Sequence, residues 1–242
     1  MKFVNGRPVL INKSSLIIGD LHLGVPEILS LNKTFYDQMA FDINKMCHDF
    51  KCNRLIILGD VKDDITIVPD YLYDFFEMIK VDVTIVKGNH DGMIEKLCSH
   101  FGFDLCPTSG CVIDGVGLFH GHTWPSAEIM AQKHLVMTHL HQVLKITDKF
   151  GKRISVPVVL KSAMNSDVEN LKLPVKYSYN PDLQLIVLPA FNPLMGHEIG
   201  EKSLRLSPIL RNNVFKLNSI YVYNMTGSLL GKLADFLEGE HG

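Results

Sequence analysis

Residues 54–60 read Arg54-Leu55-Ile56-Ile57-Leu58-Gly59-Asp60. A run of four apolar residues leads straight into a glycine and a carboxylate. Such a run, closed by a turn signal, is the pattern of a buried strand. It recurs on both sides. Ser15-Leu16-Ile17-Ile18 ends at Gly19-Asp20-Leu21-His22, and Val81-Asp82-Val83-Thr84-Ile85-Val86 ends at Gly88-Asn89-His90-Asp91. Between the first two, residues 34–50 place Phe35, Met39, Ile43 and Met46 at helical spacing. Residues 69–80 form a second amphipathic stretch. Strand, helix, strand, helix, strand predicts a largely parallel sheet, whose ligands gather beyond the strand C-termini. Three polar clusters are thereby placed in one crevice.

Further elements extend this unit in both directions. Lys2-Phe3-Val4 and Pro8-Val9-Leu10-Ile11 flank Asn5-Gly6, a tight-turn pair that predicts a hairpin. After a helix near 92–100, Val112 to Phe119 predicts a second hairpin, turning at Asp114-Gly115 and ending at His120-Gly121-His122. A short helix over 125–133 begins with Pro125, and the strand Leu135-Val136-Met137 ends at Thr138-His139-Leu140-His141. The last hundred residues read as strands over 156–160, 183–188 and 219–223, separated by Pro- and Asn-rich loops such as 178–182. No repeat or low-complexity linker divides the chain. The expected architecture is α/β, one domain over residues 1–242, with two packed mixed sheets and helices on the outer faces.

Composition narrows the class. The chain has 242 residues, is 46% hydrophobic and carries a net charge of −2. That is not the balance of a protein holding duplex nucleic acid mainly by charge. The local basic stretch Lys145, Lys149, Lys152 and Arg153 reads as a solvated face able to attract a polyanion. No apolar run reaches the roughly 18 residues needed to span a bilayer, and no signal-peptide core opens the sequence. A cytoplasmic protein with no membrane partner is expected; the oligomeric state is not legible. The five cysteines, Cys47, Cys52, Cys98, Cys106 and Cys111, lack tight Cys-x-x-Cys spacing and are expected to be buried or half-buried thiols.

The histidines point to chemistry. In chain order the strand ends deliver Asp20-x-His22, Gly59-Asp60, Gly88-Asn89-His90-Asp91, His120 and His139-x-His141. Each piece alone has an ordinary reading: Gly-Asp is a common turn, and a lone strand-end histidine is more often structural than a ligand. All five in this order, each at a strand end, form a pattern. Imidazole, carboxylate and amide donors suit Mn, Zn, Fe or Ni, and no thiolate joins them. Four imidazoles, two carboxylates and one amide oxygen are too many for one ion and fit two ions sharing a carboxylate. Two ions roughly 3.5–4 Å apart clamp an in-line displacement at phosphorus and acidify a bridging water.

This set resembles the signature of the calcineurin-like metallophosphoesterase superfamily over about residues 15–142. The resemblance implies a four-layer α-β-β-α sandwich of two mixed sheets with flanking helices, residues 150–242 completing the second sheet. It implies that Asp20, His22 and His141 hold one divalent ion, that Asn89, His120 and His139 hold the other, and that Asp60 bridges them, with Mn2+ the first expectation and Zn2+, Fe2+ or Ni2+ as alternatives. His90 is then the group that steadies the phosphoryl oxygens and protonates the leaving alkoxide, since an imidazolium is a competent acid near neutral pH. Asp91 is expected to orient it. Two departures stand out. Thr138 occupies the place of the family's Gly before the last His-x-His, so His139 is the ligand whose geometry this departure touches first. No Arg follows Asp60 before residue 100, where the family's protein phosphatases carry one; Lys62 is the nearest cation to take its place, as a point charge and not a fork. Asp63 matches the acidic position of the same motif and is read as a partner to a ligand.

A softer likeness links Asp20-Leu21-His22-Leu23-Gly24, His120 to Pro125, and Leu188 to Pro193 to prokaryotic phosphoesterases related to the double-strand-break-repair nuclease. His122 and Trp124 are candidate substrate-binding residues, with the indole as a stacking surface; the competing readings are packing into the core for Trp124 and a solvated loop position for His122. Leu188 to Pro193 follows a buried strand, a position from which Asn192 can be brought near the crevice. His48, His100, His134 and His197 are read as having no chemistry. The expected activity is hydrolysis of a phosphate ester, foremost a phosphodiester, with nuclease action on DNA or RNA as the alternative in that class. A metal-stabilised scaffold with little turnover is the alternative of another class. A sugar- or nucleotide-binding Rossmann protein is disfavoured because no Gly-rich loop follows the first strand.

Overall fold

Apolar β-branched runs form the central strands where the sequence places them. The structure, a computed structural model, describes residues 1–25, 33–147, 149–171 and 180–237. One sheet is ordered β1 (Lys2–Phe3), β2 (Leu10–Asn12), β3 (Ser15–Ile18), β4 (Arg54–Leu58), β5 (Asp82–Val86) and β6 (Asp104–Cys106). β3 to β6 are parallel; β1 and β2 add an antiparallel edge. Helices α1 (Lys33–Asp49), α2 (Asp70–Glu77) and α3 (Glu95–Phe101) connect the parallel strands. The loop read over 178–182 begins outside the described residues.

A second sheet brings together β7 (Cys111–Ile113), β8 (Val116–Leu118), β9 (His134–Met137), β12 (Val159–Ala163), β13 (Gln184–Val187), β15 (Tyr221–Tyr223) and β16 (Leu229–Lys232), in the order β16-β15-β12-β13-β9-β8-β7. Parallel and antiparallel pairings mix: β8–β9 and β9–β13 are parallel, β12–β13 antiparallel. Three apolar clusters define the layers. Leu10, Ile17, Ile56, Leu58 and Val86 of the first sheet meet Val116, Leu118, Val136, Val159 and Ile186 of the second. The other face of the first sheet packs Leu16, Ile18, Leu55 and Ile57 against Ile43, Leu72, Phe75 and Leu97 of its helices. The outer face of the second sheet packs Leu135, Leu160 and Leu185 against short helices over 127–130, 201–204, 208–211 and 233–237. The expected α-β-β-α layering is present, with few and short helices on the second side. No helix among the described residues is long and apolar enough to cross a membrane.

Two expectations are corrected. Residues 156–160 are not one strand: Pro157 closes β11 (Arg153–Pro157) and Val159 opens β12. Proline has no N–H to continue a ladder, and the chain passes from one sheet to another there. β11 pairs with β10 (Gln142–Thr147) in a hairpin, and β10 pairs with the short β14 (His197–Glu198), making a third, three-stranded sheet. The basic stretch therefore lies on a β-ribbon. Second, Cys106 and Cys111 form a disulfide, while Cys47, Cys52 and Cys98 remain buried thiols. Cys106 ends β6 and Cys111 begins β7, so the turn between the two sheets carries their Cα atoms to 6.0 Å, ordinary bridging range. Sequence spacing alone did not contain that turn.

Ile56 is 1% exposed and faces the second sheet. Ile56→Ala is expected to cost about 2–5 kcal/mol through lost burial and a cavity between the sheets. Chemical denaturation checks this; a loss below about 1 kcal/mol would mean that the sheets do not pack there.

Candidate metal centre

The parallel ladder continues past the ends of β3 and β4 and carries the polar residues with it. Asp20 N donates to Gly59 O at 3.0 Å, His22 N to Asp60 O at 2.9 Å and Leu23 N to Val61 O at 3.0 Å. To turn their side chains into one space, Asp20, His22, Asp60, His139 and His141 adopt left-handed backbone, with φ of 54°, 41°, 50°, 72° and 47°. Such conformations cost about 1–3 kcal/mol each in non-glycine residues and persist only when the surroundings enforce them. Asp91 is one enforcer. Its Oδ2 accepts from Asp60 N at 2.9 Å and Gly88 N at 2.8 Å, and its Oδ1 from Val61 N at 2.9 Å. Gly88 is required beside it, because a Cβ there would sit 2.3 Å from Asp60 N.

All seven expected ligands come together. Asp20, His22, Asp60 and His141 offer donor atoms to one point, and Asp60, His120 and His139 to another. Asp60 belongs to both: its Oδ2 lies 3.2 Å from His120 Nε2 and 3.5 Å from His22 Nε2. Asn89 Oδ1 lies 3.1 Å from His120 Nε2, and His139 Nδ1 is also 3.1 Å from that atom. Around the first point, His22 Nε2 lies 3.2 Å from His141 Nε2, and Asp20 Oδ1 lies 3.5 Å from His141 Nε2. Asp20, His22, Asp60, His120 and His141 are buried.

The protonation pattern shows what these points accept. His120 Nδ1 lies 2.8 Å from Leu58 O, an acceptor only, so Nδ1 carries the proton. His22 Nδ1 faces Asp63 Oδ1 at 3.1 Å and is likewise the protonated nitrogen; a carboxylate behind an imidazole is the usual support for a metal-ligating histidine. His120 Nε2 then faces a carboxylate oxygen, an amide oxygen and another imidazole nitrogen, all about 3.1–3.2 Å away, a convergence that a proton on Nε2 or a bound cation must offset. Metal bonds of about 2.1 Å meeting at right angles leave neighbouring donors about 3 Å apart, so the donor set fits divalent ions. His141 Nδ1 is buried without a hydrogen-bond partner.

The electrostatics agree. Burial raises the Asp60 carboxyl pKa, but the imidazoles of His120 and His22 and the His90 N–H outweigh it and hold the group ionised. Burial lowers His120, yet Asp60 and Asp20 carry it up to about 9. His139 has no such compensation: burial and the neighbouring His120 push it down to about 3. Burial and the Asp60 charge push Asp91 up to about 6, against the pull of its backbone donors.

Thr138 fits where the resemblance implies Gly. Its hydroxyl donates to Leu58 O at 2.7 Å, and its methyl occupies space left open by Gly19, where a Cβ would come within 2.6 Å. His139 N donates to Asp20 Oδ2 at 3.0 Å.

Two expectations change. Asp91 does not orient His90: its two oxygens are taken by backbone N–H groups, and His90 Nδ1 faces Asp63 O at 2.8 Å instead. Lys62 does not stand ready for a phosphate. It is wholly buried, and its ammonium donates to the backbone carbonyls of Asp64 and His90, the latter at 2.8 Å. His197, read as having no chemistry, keeps that reading, although its ring lies 5.2 Å from that of His141. Nothing in its sequence context marked it, because the contact arises from the short β14 pairing beside β10.

His90 joins His22 and Asp63 in a third group of donors, its ring 5.0 Å from that of His22. His122 lies at the rim, 5.2 Å from the His120 ring, with Nδ1 buried and unpartnered; burial and His120 push it down to about 4. Trp124 packs on the outer cluster of the second sheet. Asn192 is buried and donates through Nδ2 to Leu21 O, between Asp20 and His22, at 2.8 Å.

Residues 14–185 match the family described as calcineurin-like phosphoesterase. The structure is similar to the nuclease MPE of Pseudomonas putida, at 17% identity, TM-score 0.56, covering 88% of this chain and 86% of that one. It is also matched, at 17% identity and TM-score 0.33, to the zinc-complexed Vps29 of Entamoeba histolytica, covering 89% of this chain and 94% of that one. No curated protein matches.

Without metal, the raised His120 pKa contributes stability that is complete below about pH 6.5 and is lost as pH rises toward about 9. A divalent ion replaces that proton, so the rise in Tm on adding Mn2+ to chelator-treated protein is expected to grow between those limits. Melting curves at both ends of the window check it. An Mn2+ effect that shrinks with pH would contradict the assignment of His120 to the cluster.

Proposed function

Because the chain belongs to the calcineurin-like phosphoesterase family, we propose that it is a two-metal hydrolase of phosphate esters, foremost phosphodiesters. The observation that carries this reading is the Asp60 carboxylate, which lies between the two donor groups, 3.2 Å from His120 Nε2 and 3.5 Å from His22 Nε2. Asp20, His22, Asp60 and His141 would hold one divalent ion, and Asp60, Asn89, His120 and His139 the other; Mn2+ heads the ions that such donors accept. Bound ions would draw charge from the phosphoryl oxygens and acidify water near neutral pH.

The protein's own groups do the rest. His90 is a half-buried imidazole whose Nδ1–H donates to Asp63 O at 2.8 Å. That bond fixes the tautomer and leaves Nε2 as the atom that holds or delivers a proton. With the ring 5.0 Å from that of His22, Nε2 serves a leaving alkoxide at the cluster. Asp63 is shared: its carboxylate supports His22 and its carbonyl supports His90. Lys62 ties the loop after Asp60 to the His90 carbonyl from below, keeping acid and ligands in register. Asp91 holds the loop backbone and not the acid.

Protein loaded with Mn2+ is expected to hydrolyse bis(p-nitrophenyl) phosphate. Asp60→Asn should abolish it. His90→Ala should cost about 10²- to 10⁴-fold, and more for a dinucleotide, whose alkoxide leaving group needs the proton, than for p-nitrophenolate, which needs it least. Steady-state rates on both diesters decide it; equal losses on the two would refute His90 as the acid.

A further inference from the structure

The site leaves one conspicuous feature unused. β10 begins at Gln142, the residue after His141, and runs with β11 into a ribbon whose outer half is exposed. Residues 142–157 hold four cations, Lys145, Lys149, Lys152 and Arg153, and one acid, Asp148. The ribbon thus carries +3 in a chain of net −2, and the other residues together −5. Lys145 is paired with Glu198 of β14. Lys149 lies 5.0 Å over the ring of Phe150, which is 83% exposed.

The two faces of the ribbon differ. Cross-strand partners share a face, so Val143 with Pro157, Lys145 with Ser155, and Thr147 with Arg153 form one side. Ile146 and Ile154, also opposite each other, form the other. At its base the basic side opens on a groove of about 540 Å³, lined by Val143, Ser155, Pro157, Phe191, Gly196 and Arg7, the last paired with Asp42 at 3.2 Å. The loop that walls this groove also seats against the cluster: Asn192 N donates to Asp20 O at 3.4 Å, and His197 N to His141 O at 2.8 Å. One loop therefore walls the groove on one side and holds the backbone of two cluster residues on the other, and Lys145 lies about 13 Å of strand from His141 at about 3.3 Å per residue.

We propose that the β10–β11 ribbon and the groove at its base form a track for a single strand of nucleic acid, leading its phosphodiesters to the cluster. The occupant is set by chemistry. A strand presents regularly spaced phosphates to Lys149, Lys152 and Arg153, and bases that stack on an exposed ring such as Phe150; cations interleaved with an aromatic are the general means of holding single strands without sequence preference. An acidic peptide would satisfy the charge but offers no diester to the site. This inference rests on the phosphodiesterase reading above.

The test uses the full chain loaded with Mn2+ and a fluorescein-labelled single-stranded phosphorothioate DNA of about 20 nucleotides, which keeps the charge and resists hydrolysis. Fluorescence anisotropy is expected to show binding that weakens with salt. Lys149→Gln/Lys152→Gln/Arg153→Gln should weaken it about tenfold or more and lower the slope of log Kd against log salt by about 2, at about 0.7 per phosphate contact. Phe150→Ala should weaken binding with the slope unchanged, and Lys149→Arg/Lys152→Arg should keep the wild-type affinity even if ribbon substitutions lower the Tm. Wild-type affinity and slope in the triple Gln variant would overturn the track, as would binding to phosphatidylserine vesicles with none to the DNA. Hydrolysis of bis(p-nitrophenyl) phosphate by the wild type reports on the cluster separately. Its absence sinks the phosphodiesterase reading; its presence beside unaltered DNA binding by the triple variant sinks only the track.

Discussion

The structure turns on one electrostatic constraint: the lone pairs of buried carboxylates and imidazoles are brought together around two points, where protons or metal cations must offset them. His120 commits its proton to Leu58 O, and its second nitrogen meets Asp60, Asn89 and His139 within about 3.2 Å. His22 commits its proton to Asp63 and meets His141 and Asp60. Such a convergence costs energy unless protons or metal cations occupy it. The backbone shares the cost, since five of the converging residues hold a left-handed φ. What keeps them there is not the site itself but the frame beneath it: three N–H groups on the Asp91 carboxylate, a buried Lys62 on two carbonyls, and a parallel ladder that outlasts the strands.

The two sheets bring their strand ends to one edge. β3, β4 and β5 of the first sheet supply Asp20, His22, Asp60 and Asn89, while β8 and β9 of the second supply His120, His139 and His141. The apolar layer between them, with Ile17, Ile56 and Leu58 facing Leu118, Val136 and Ile186, sets the distance across which the two groups share Asp60. Leu58 serves both: its side chain belongs to that layer and its carbonyl receives the His120 and Thr138 donors.

Much of this was legible in the sequence, for physical reasons. Buried parallel strands must be apolar throughout, so 15–18, 54–58 and 81–86 declared themselves, and the residues just past a strand in such a sheet lie at its ligand-binding end. The clustering of the seven expected ligands needed only that inference. The sequence withheld the features that depend on which partner a side chain finds. Asp91 stands beside His90 in sequence, yet its carboxylate turns to backbone N–H groups. Lys62 could not be told from an exposed cation, because burial of an ammonium depends on two carbonyls supplied by other loops. The β10–β11 ribbon escaped notice because solvated strands have no apolar run to mark them, and the Cys106–Cys111 bridge because its geometry lies in a turn between sheets. His197 reaches His141 only through the two-residue β14 pairing.

The central claim is that Asp60 is shared by two ions. Anomalous diffraction at the manganese edge, on crystals grown with Mn2+, tests it most directly. The account predicts two peaks, one among Asp20, His22, Asp60 and His141 and the other among Asp60, Asn89, His120 and His139, about 3.5–4 Å apart. A single peak, or two peaks of which neither touches Asp60, would contradict it.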